Sequence, residues 1–136
     1  MHLKKKDILI IEDSHATAKK LEESLRKLGY QNIHSCYDGK EGMKKFLELS
    51  KSNRLPLVFL DYYLPDISAI TVFDHILETM PETKIIIATA AGKEEDGILY
   101  LTQHGAYHYL QKPISFKNIK SIMDTIEVEE KFLGAK

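Results

Sequence analysis

Short apolar segments alternate along this chain with longer amphipathic ones, and no other feature limits the possible folds as strongly. Three of the short segments, residues 8–11, 57–60 and 85–88, are continuously apolar and rich in branched side chains. Strands of that kind are typical of a parallel sheet, because helices cover both of its faces. Residues 33–37 and 107–110 are weaker strand candidates, which we expect to be shorter or nearer the sheet edges.

Amphipathic helical patterns separate and follow these segments. Apolar residues recur at helical spacing in residues 16–28, 39–49, 70–80 and 94–104, and in a fifth segment that Ser115 caps. Asp38 is a favourable N-cap for the second helix, and Gly29 and Gly105 suit the left-handed conformation that ends a helix. Gly97 weakens the fourth helix by about 1 kcal/mol relative to alanine.

Five strands and five helices therefore follow one another in strict alternation. Each parallel crossover needs a helix and is right-handed, so the pattern predicts an α/β fold with a doubly wound, five-stranded parallel sheet. We expect the second helix to bury Met43, Phe46 and Leu47 against this sheet.

The composition argues against several classes of function. Hydrophobic residues make up 43% and charged residues 29% of the 136 residues, which is ordinary for one soluble domain. The net charge of −1 gives no strong attraction to nucleic acid or membrane, and no apolar run approaches the roughly 20 residues that cross a bilayer. We interpret Lys4, Lys5 and Lys6 as a solvated lead-in. The single Cys36 fits a reducing compartment and predicts a cytoplasmic location.

Polar residues lie where four of the predicted strands end. Glu12 and Asp13 follow the first strand, Asp61 the third, Thr89 the fourth and Lys112 the fifth. Ligands of such sheets bind beyond the carboxyl ends of the strands, so we expect these five side chains to converge. Neighbouring acids repel one another, and Mg2+ suits the cluster because it binds one or two carboxylates and keeps water or phosphate oxygens in its other positions.

This constellation predicts phosphoryl chemistry. Asp61 is placed to act as a nucleophile that forms an aspartyl phosphate when the incoming charge is neutralised. Thr89 would donate a hydrogen bond to a phosphoryl oxygen, and Lys112 would supply a mobile positive charge.

Four sequence strings carry these residues: IIEDS, FLDYYLP, IIIATA and YLQKP. In this order, and at strand ends, they resemble the receiver domain of the two-component response regulators, the family of the bacterial chemotaxis regulator. The resemblance covers residues 5–127 and implies a flavodoxin-like receiver fold with strand order 2-1-3-4-5. We expect the receiver domain to occupy residues 1–127, and residues 128–136 to be a helix extension or a short tail with no room for a DNA-binding module.

The resemblance also implies a role for each residue of the site. Asp61 would be the phospho-acceptor, and Asp13 and Asp61 would bind Mg2+ directly together with the backbone carbonyl of Tyr63. Glu12 stands where Asp is commoner and would act in the outer shell, through water or towards Lys112.

Two further residues are implied to change position on phosphorylation. Thr89 would be the switch hydroxyl that moves toward the phosphoryl group, and Tyr109 the aromatic residue that moves between an outward and an inward position. The Lys112–Pro113 peptide bond is expected to be cis, as in the family.

Three positions bear on how this chain differs from its family. Ala69 falls where Gly is usual, which costs about 1 kcal/mol if that position needs a positive φ. Tyr63 and Ala91 occupy the variable positions that tune the lifetime of the phosphorylated state. A bulky ring at position 63 obstructs in-line attack by water, and Ala91 has no group to orient that water, so we hypothesise slow self-dephosphorylation.

The resemblance implies a protein-binding switch that a histidine kinase or histidine phosphotransfer protein phosphorylates, and that catalyses only its own phosphorylation and slow dephosphorylation. Its downstream target would be a protein, and a homodimer through the fourth and fifth helices is compatible with the family. Two alternatives stay open. One is an aspartyl-nucleophile phosphohydrolase, which would need a second Asp at the position of Tyr63. The other is an unphosphorylated interaction module, which the presence of the full set of reactive residues disfavours: Asp13, Asp61, Thr89 and Lys112.

Overall fold

Strands and helices alternate along the chain, as the apolar pattern predicts. The computed structural model describes residues 4–52 and 55–132. The strands are β1 (Lys4–Ile11), β2 (Tyr30–Cys36), β3 (Leu57–Leu60), β4 (Ile85–Thr89) and β5 (His108–Gln111). The helices are α1 (His15–Lys27), α2 (Gly39–Ser50), α3 (Ala69–Thr79), α4 (Asp96–Gln103) and α5 (Phe116–Phe132).

The strands form one parallel sheet in the order β2-β1-β3-β4-β5, which confirms the doubly wound topology. β3 and β4 are buried along their whole length, whereas the edge strands β2 and β5 are buried only in part. Helices α2, α3 and α4 cover one face of the sheet, and α1 and α5 cover the other. The continuous apolar runs are therefore the strands that are covered on both faces.

Helix ends lie close to where the sequence places them. The Asp38 side chain accepts a hydrogen bond from the Glu41 backbone at 2.7 Å, and the Ser115 hydroxyl accepts one from the Asn118 backbone at 3.1 Å. Gly29 and Gly105 have φ angles of 100° and 113°, which side chains rarely adopt. These local signals confirm both N-caps and both glycine stops.

One residue predicted to be buried in α2 is exposed. Leu47 keeps 38% of its surface accessible, and the buried face of the helix consists instead of Gly39, Gly42, Phe46 and Leu49. Gly42 lets the helix approach the sheet closely, because a Cβ there would lie 2.5 Å from Ile11 Cδ1. Leu47 is one residue beyond Phe46, about 100° around the helix, and so it turns away from the sheet.

The basic segment near the start of the chain is a solvated lead-in only at the exposed Lys5, and that interpretation is wrong for Lys4 and Lys6, which belong to β1 and form ion pairs. Lys4 begins β1, and its Nζ lies 2.7 Å from Glu127 Oε2. Lys6 Nζ lies 2.8 Å from Glu130 Oε2. Helix α5 continues to Phe132, so the described part of residues 128–136 extends the helix, and residues 133–136 lie outside the described range.

The structure also answers two questions about the backbone that the sequence raised, one at the Lys112–Pro113 bond and one at Ala69. The Lys112–Pro113 peptide bond is cis, as expected. Ala69 is buried in the first turn of α3, where Ser68 caps the helix by accepting from the backbone of Ile70 and Thr71. Because Ala69 has helical backbone, the penalty considered for a positive φ does not arise.

Candidate functional site

The charged residues that follow β1, β3 and β5 meet at the carboxyl edge of the sheet. Lys112 Nζ lies 2.5 Å from Glu12 Oε1 and 3.1 Å from Asp61 Oδ2. Glu12 and Asp61 are each only 4% exposed, whereas Asp13 is exposed. Residues separated by up to 100 positions in the sequence are thus brought into direct contact, as the strand-end argument predicts.

The backbone ladder holds these residues in place beyond the strands themselves. The Glu12 backbone donates to Cys36 O at 3.0 Å, and the Asp61 backbone donates to Ile11 O at 3.0 Å. On the other side of the sheet, the Lys112 backbone donates to Thr89 O at 2.8 Å. Since each site residue continues a parallel ladder by one hydrogen bond, the rigid sheet fixes where its side chain starts.

Three carboxylates form a cluster with the geometry of a cation site. One oxygen from each of Glu12, Asp13 and Asp61 lies within 4.8 Å of the other two. Hard oxygen ligands are the donors that Mg2+ prefers, and the exposure of Asp13 leaves access for the water molecules that the ion retains. The Lys112 ammonium contacts Glu12 and Asp61 but carries one positive charge beside a cluster of three acids, so the chemistry of the donor set fits a divalent cation.

For both Glu12 and Lys112, burial and ion pairing shift the pKa in opposite directions. Burial raises the pKa of Glu12 to about 7, while the hydrogen bonds from Lys112 and from the Ser14 backbone oppose that rise. For Lys112, burial acts to lower the pKa, but the hydrogen bonds to Glu12 and Asp61 outweigh it and the pKa is raised. Lys112 therefore carries its positive charge at neutral pH.

Thr89 and Tyr109 lie on neighbouring strands beside this cluster. Thr89 is fully buried, and its hydroxyl accepts a hydrogen bond from the Ala91 backbone at 3.3 Å. The Tyr109 hydroxyl donates to the Ala91 carbonyl, and Lys93 Nζ lies 5.5 Å from the centre of the Tyr109 ring. The hydroxyls of Thr89 and Tyr109 thus both contact the backbone of Ala91, directly after β4.

Tyr63 lies at the mouth of the site. Its backbone donates to Asp61 Oδ1 at 3.2 Å, so the Asp61 carboxylate is held from both sides, by this N–H and by Lys112. The Tyr63 side chain is 51% exposed, and its hydroxyl donates to Glu95 Oε1 at 3.3 Å.

Sequence reasoning missed two residues that support the site. Glu95 binds the Tyr63 hydroxyl, and Asp66 accepts from the backbones of Gly39 and Lys40 at 2.8 and 2.9 Å. Asp66 thereby ties the loop after β3 to the N-terminus of α2. An acidic residue in a loop carries no signal of which distant backbone it will bind, because its partner is set by the packing of α2 beside that loop.

Comparison with known proteins identifies the family and the fold of this chain. Residues 8–124 match the family described as the response regulator receiver domain. The chain is 32% identical over 114 residues to the chemotaxis protein CheY of Treponema pallidum, an alignment that covers 82% of this chain and 76% of that one. Some other relatives are longer, and the chain spans 55% and 48% of two of them.

Solved structures show the same architecture. The signal receiver domain of a putative Luxo repressor protein from Vibrio parahaemolyticus superposes with a TM-score of 0.78 at 28% identity, covering 95% of both chains. The response regulator protein TrrA from Thermotoga maritima, solved in complex with Mg(2+)-BeF, gives a TM-score of 0.73 at 30% identity and covers 88% of this chain and 97% of that one. Within residues 4–52 and 55–132, no helix combines the length and apolar character that crossing a bilayer requires.

Proposed function

This chain belongs to the response regulator receiver domain family, and we propose that it accepts a phosphoryl group on Asp61 and passes the signal on by changing a protein-binding surface. The surroundings of Asp61 support it as the acceptor. It is a buried carboxylate that contacts Lys112 at 3.1 Å and the Tyr63 backbone at 3.2 Å, and it also shares the acidic cluster with Glu12 and Asp13. Asp13 is exposed. Glu12 also contacts Lys112 and accepts from the Ser14 backbone, but burial raises its pKa to about 7, which makes it the weaker candidate for an ionised nucleophile at neutral pH.

The chemical step transfers a phosphoryl group from a phosphorylated imidazole of the donor. An oxygen of the Asp61 carboxylate forms a bond to phosphorus while the phosphorus–nitrogen bond breaks, and the leaving imidazole keeps the electron pair and takes up a proton. Lys112 is placed to stabilise the charge of the transferred group, because its ammonium already contacts Asp61. Thr89 would donate its hydroxyl to a phosphoryl oxygen, because its present bond uses the hydroxyl oxygen only as an acceptor from the Ala91 backbone.

Mg2+ is the cation that we propose for the carboxylate cluster. Asp13 and Asp61 would bind it together with the backbone carbonyl of Tyr63, and Glu12 would take the outer-shell position that its contact with Lys112 suggests. The ion would neutralise negative charge on the phosphoryl oxygens.

Thr89 and Tyr109 are the residues that we propose to carry the change outward. Both hydroxyls bind the backbone of Ala91, so a movement of Thr89 toward Asp61 would shift the loop that also holds Tyr109. The affected face comprises α4, β5 and α5.

The partners follow from this proposal. The donor would be a histidine kinase or a histidine phosphotransfer protein, and the recipient of the signal a protein rather than nucleic acid. A homodimer through α4 and α5 would use the same face. The net charge of −1 and the buried, unpaired thiol of Cys36 suit a cytoplasmic protein of this kind.

Incubation with a small phosphodonor and Mg2+, followed by intact-mass measurement, tests the proposal. We expect wild type to gain the mass of one phosphoryl group and Asp61→Asn to gain none, with loss of the gain when Mg2+ is chelated. Asp124→Asn is the matched control, because Asp124 is an exposed aspartate that forms a surface ion pair with Lys120. An Asp61→Asn protein that still gains one phosphoryl group would refute Asp61 as the acceptor, and rapid release of inorganic phosphate over many turnovers would indicate a hydrolase.

A further inference from the structure

The two residues that follow Asp61 both reach the first turn of α4. The Tyr63 hydroxyl donates to Glu95 Oε1 at 3.3 Å. The Tyr62 ring lies against Gly97, where a Cβ would be only 2.0 Å from the Tyr62 hydroxyl. The two rings also meet edge to face, with centroids 5.2 Å apart. The loop after β3 therefore packs against the start of α4 and is hydrogen-bonded to it.

Glu95 is unusual among the residues at helix starts in the described part of the chain. It occupies the N-cap position of α4, yet its carboxylate accepts no hydrogen bond from the backbone of that helix. Ser14, Asp38 and Ser68, at the corresponding position of α1, α2 and α3, all do. The carboxylate of Glu95 is instead directed to the Tyr63 hydroxyl, so helix capping does not account for an acid at this position.

The bond to Glu95 restricts a side chain that would otherwise be mobile. Half of the Tyr63 surface is exposed, and an exposed aromatic side chain samples several χ1 rotamers when nothing holds its far end. Its backbone N–H is bonded to Asp61 Oδ1, so the ring is attached directly beside the acceptor carboxylate. Fixing the hydroxyl to Glu95 therefore fixes the ring at the entrance to Asp61.

We propose that Glu95 is a positioning residue, which holds the Tyr63 ring across the approach to Asp61 and so lengthens the lifetime of the phosphorylated state. This inference rests on the proposed function, because it concerns hydrolysis of the aspartyl phosphate. In that hydrolysis a water oxygen forms a bond to phosphorus in line with the Asp61 oxygen while the bond from phosphorus to that oxygen breaks; Asp61 leaves as the carboxylate and the water gives up a proton to solvent. A ring held at the entrance excludes water from that line, and a freely rotating ring excludes it for only part of the time.

Decay of the phosphorylated protein in a double-mutant cycle tests the inference. Tyr63→Phe removes the hydroxyl and keeps the ring, Glu95→Ala removes the acceptor, and Glu95→Gln keeps an acceptor oxygen without the charge. We expect Tyr63→Phe and Glu95→Ala each to speed decay by about threefold to tenfold, the factor that one net hydrogen bond represents. The double variant should decay no faster than either single variant, and Glu95→Gln should decay close to the wild-type rate.

Glu94→Ala is the matched control, because it removes the same charge from the adjacent exposed position of the same loop. Its decay rate should equal that of wild type, and the melting temperature of Glu95→Ala should fall by no more than the few degrees that loss of one exposed hydrogen bond implies. Multiplicative effects in the double variant, or equal acceleration by Glu94→Ala and Glu95→Ala, would refute the inference.

The two experiments distinguish a failure of the proposed role of Glu95 from a failure of the proposed function. If wild type gains no phosphoryl group, the proposed function fails at the preceding experiment. If wild type is phosphorylated but decays at the same rate as Glu95→Ala, only the role of Glu95 is refuted. The aromatic NMR resonances of Tyr63 give a second readout without phosphorylation, and they should shift in Glu95→Ala and stay in place in Glu94→Ala.

Discussion

The carboxylate of Glu127 joins α5 to the starts of β1 and β2, and we expect its removal to destabilise the fold. Glu127 Oε2 accepts from the Tyr30 hydroxyl at 2.6 Å and lies 2.7 Å from Lys4 Nζ. Lys4 Nζ also lies 4.8 Å from the centre of the Tyr30 ring. Tyr30 is 2% exposed with this carboxylate in place, so its hydroxyl is covered in the folded protein.

The expected losses differ between the two partners. Glu127→Ala leaves a buried hydroxyl without its acceptor, which costs about 1–3 kcal/mol of unfolding free energy. Tyr30→Phe removes the hydroxyl itself and costs only about 0.5–1.5 kcal/mol. The ion pair with Lys4 is partly exposed and adds no more than about 1 kcal/mol. We therefore expect Glu127→Ala to destabilise more than Tyr30→Phe, with a coupling energy near 1 kcal/mol between them.

Urea denaturation of the wild type, both single variants and the double variant measures this coupling. Each kcal/mol lowers the melting temperature by about 3–5 °C in a chain of this size. Asp124→Ala, one turn earlier on α5, removes an exposed carboxylate and is expected to cost less than about 0.5 kcal/mol. If Glu127→Ala costs no more than Asp124→Ala, or if the two single effects simply add, the reasoning is refuted.

The same contact gives this stabilisation a pH dependence of known sign. Burial and the hydrogen bond to Glu127 raise the pKa of Tyr30, so its contribution is complete below about pH 10 and is lost as the pH rises further. For Glu127, burial acts to raise the pKa, but the bonds from Lys4 and Tyr30 outweigh it and the pKa is lowered. Its contribution is therefore present above about pH 4.5 and is lost as the pH falls below that value. The stability gap between wild type and Tyr30→Phe should be widest between these limits.

Three further predictions concern single positions. Helix propensity alone predicts that Gly97→Ala stabilises the fold by about 1 kcal/mol, but we expect no such gain because the new Cβ displaces the Tyr62 ring. In a Tyr62→Ala background the same substitution should stabilise the fold by that amount. Equal effects in both backgrounds would contradict the role of the Tyr62 ring. Burial raises the pKa of Cys36 to about 11, so native protein near pH 8 should resist iodoacetamide that labels it fully in urea, and equal labelling rates would count against the buried thiol. Tyr63→Asn should dephosphorylate faster than wild type, since the ring obstructs attack by water; a rate equal to or below wild type would disprove the obstruction.

The features that depend on local pattern could be read from the sequence. β3 has the predicted bounds, because a continuous apolar run between polar residues leaves little freedom in where a buried strand begins and ends. The convergence of Asp61 and Lys112 was also predictable, since parallel strands bring their carboxyl ends to one edge.

The features that depend on distant packing could not be read in this way. Lys4 looked solvated because its partner Glu127 lies at the far end of the chain, and no periodicity links the two. Leu47 was assigned to the buried face of α2 because helical spacing alone does not fix the orientation of the helix, which the close approach of Gly42 to Ile11 sets. The contact of Glu95 could not be predicted because it depends on the position of the Tyr63 hydroxyl, which belongs to a different loop.

The pairing of β1 with the last turns of α5 has a consequence for how the protein matures on the ribosome. β1 is synthesised before α5 and lies between β2 and β3 in the sheet, yet Lys4 and Lys6 find Glu127 and Glu130 only after α5 has been made. A nascent chain that stops short of Glu127 would hold Tyr30 without its acceptor, so we expect it to stay more open to proteolysis than a chain that includes α5. The final acidic turns would then complete the domain as they leave the exit tunnel.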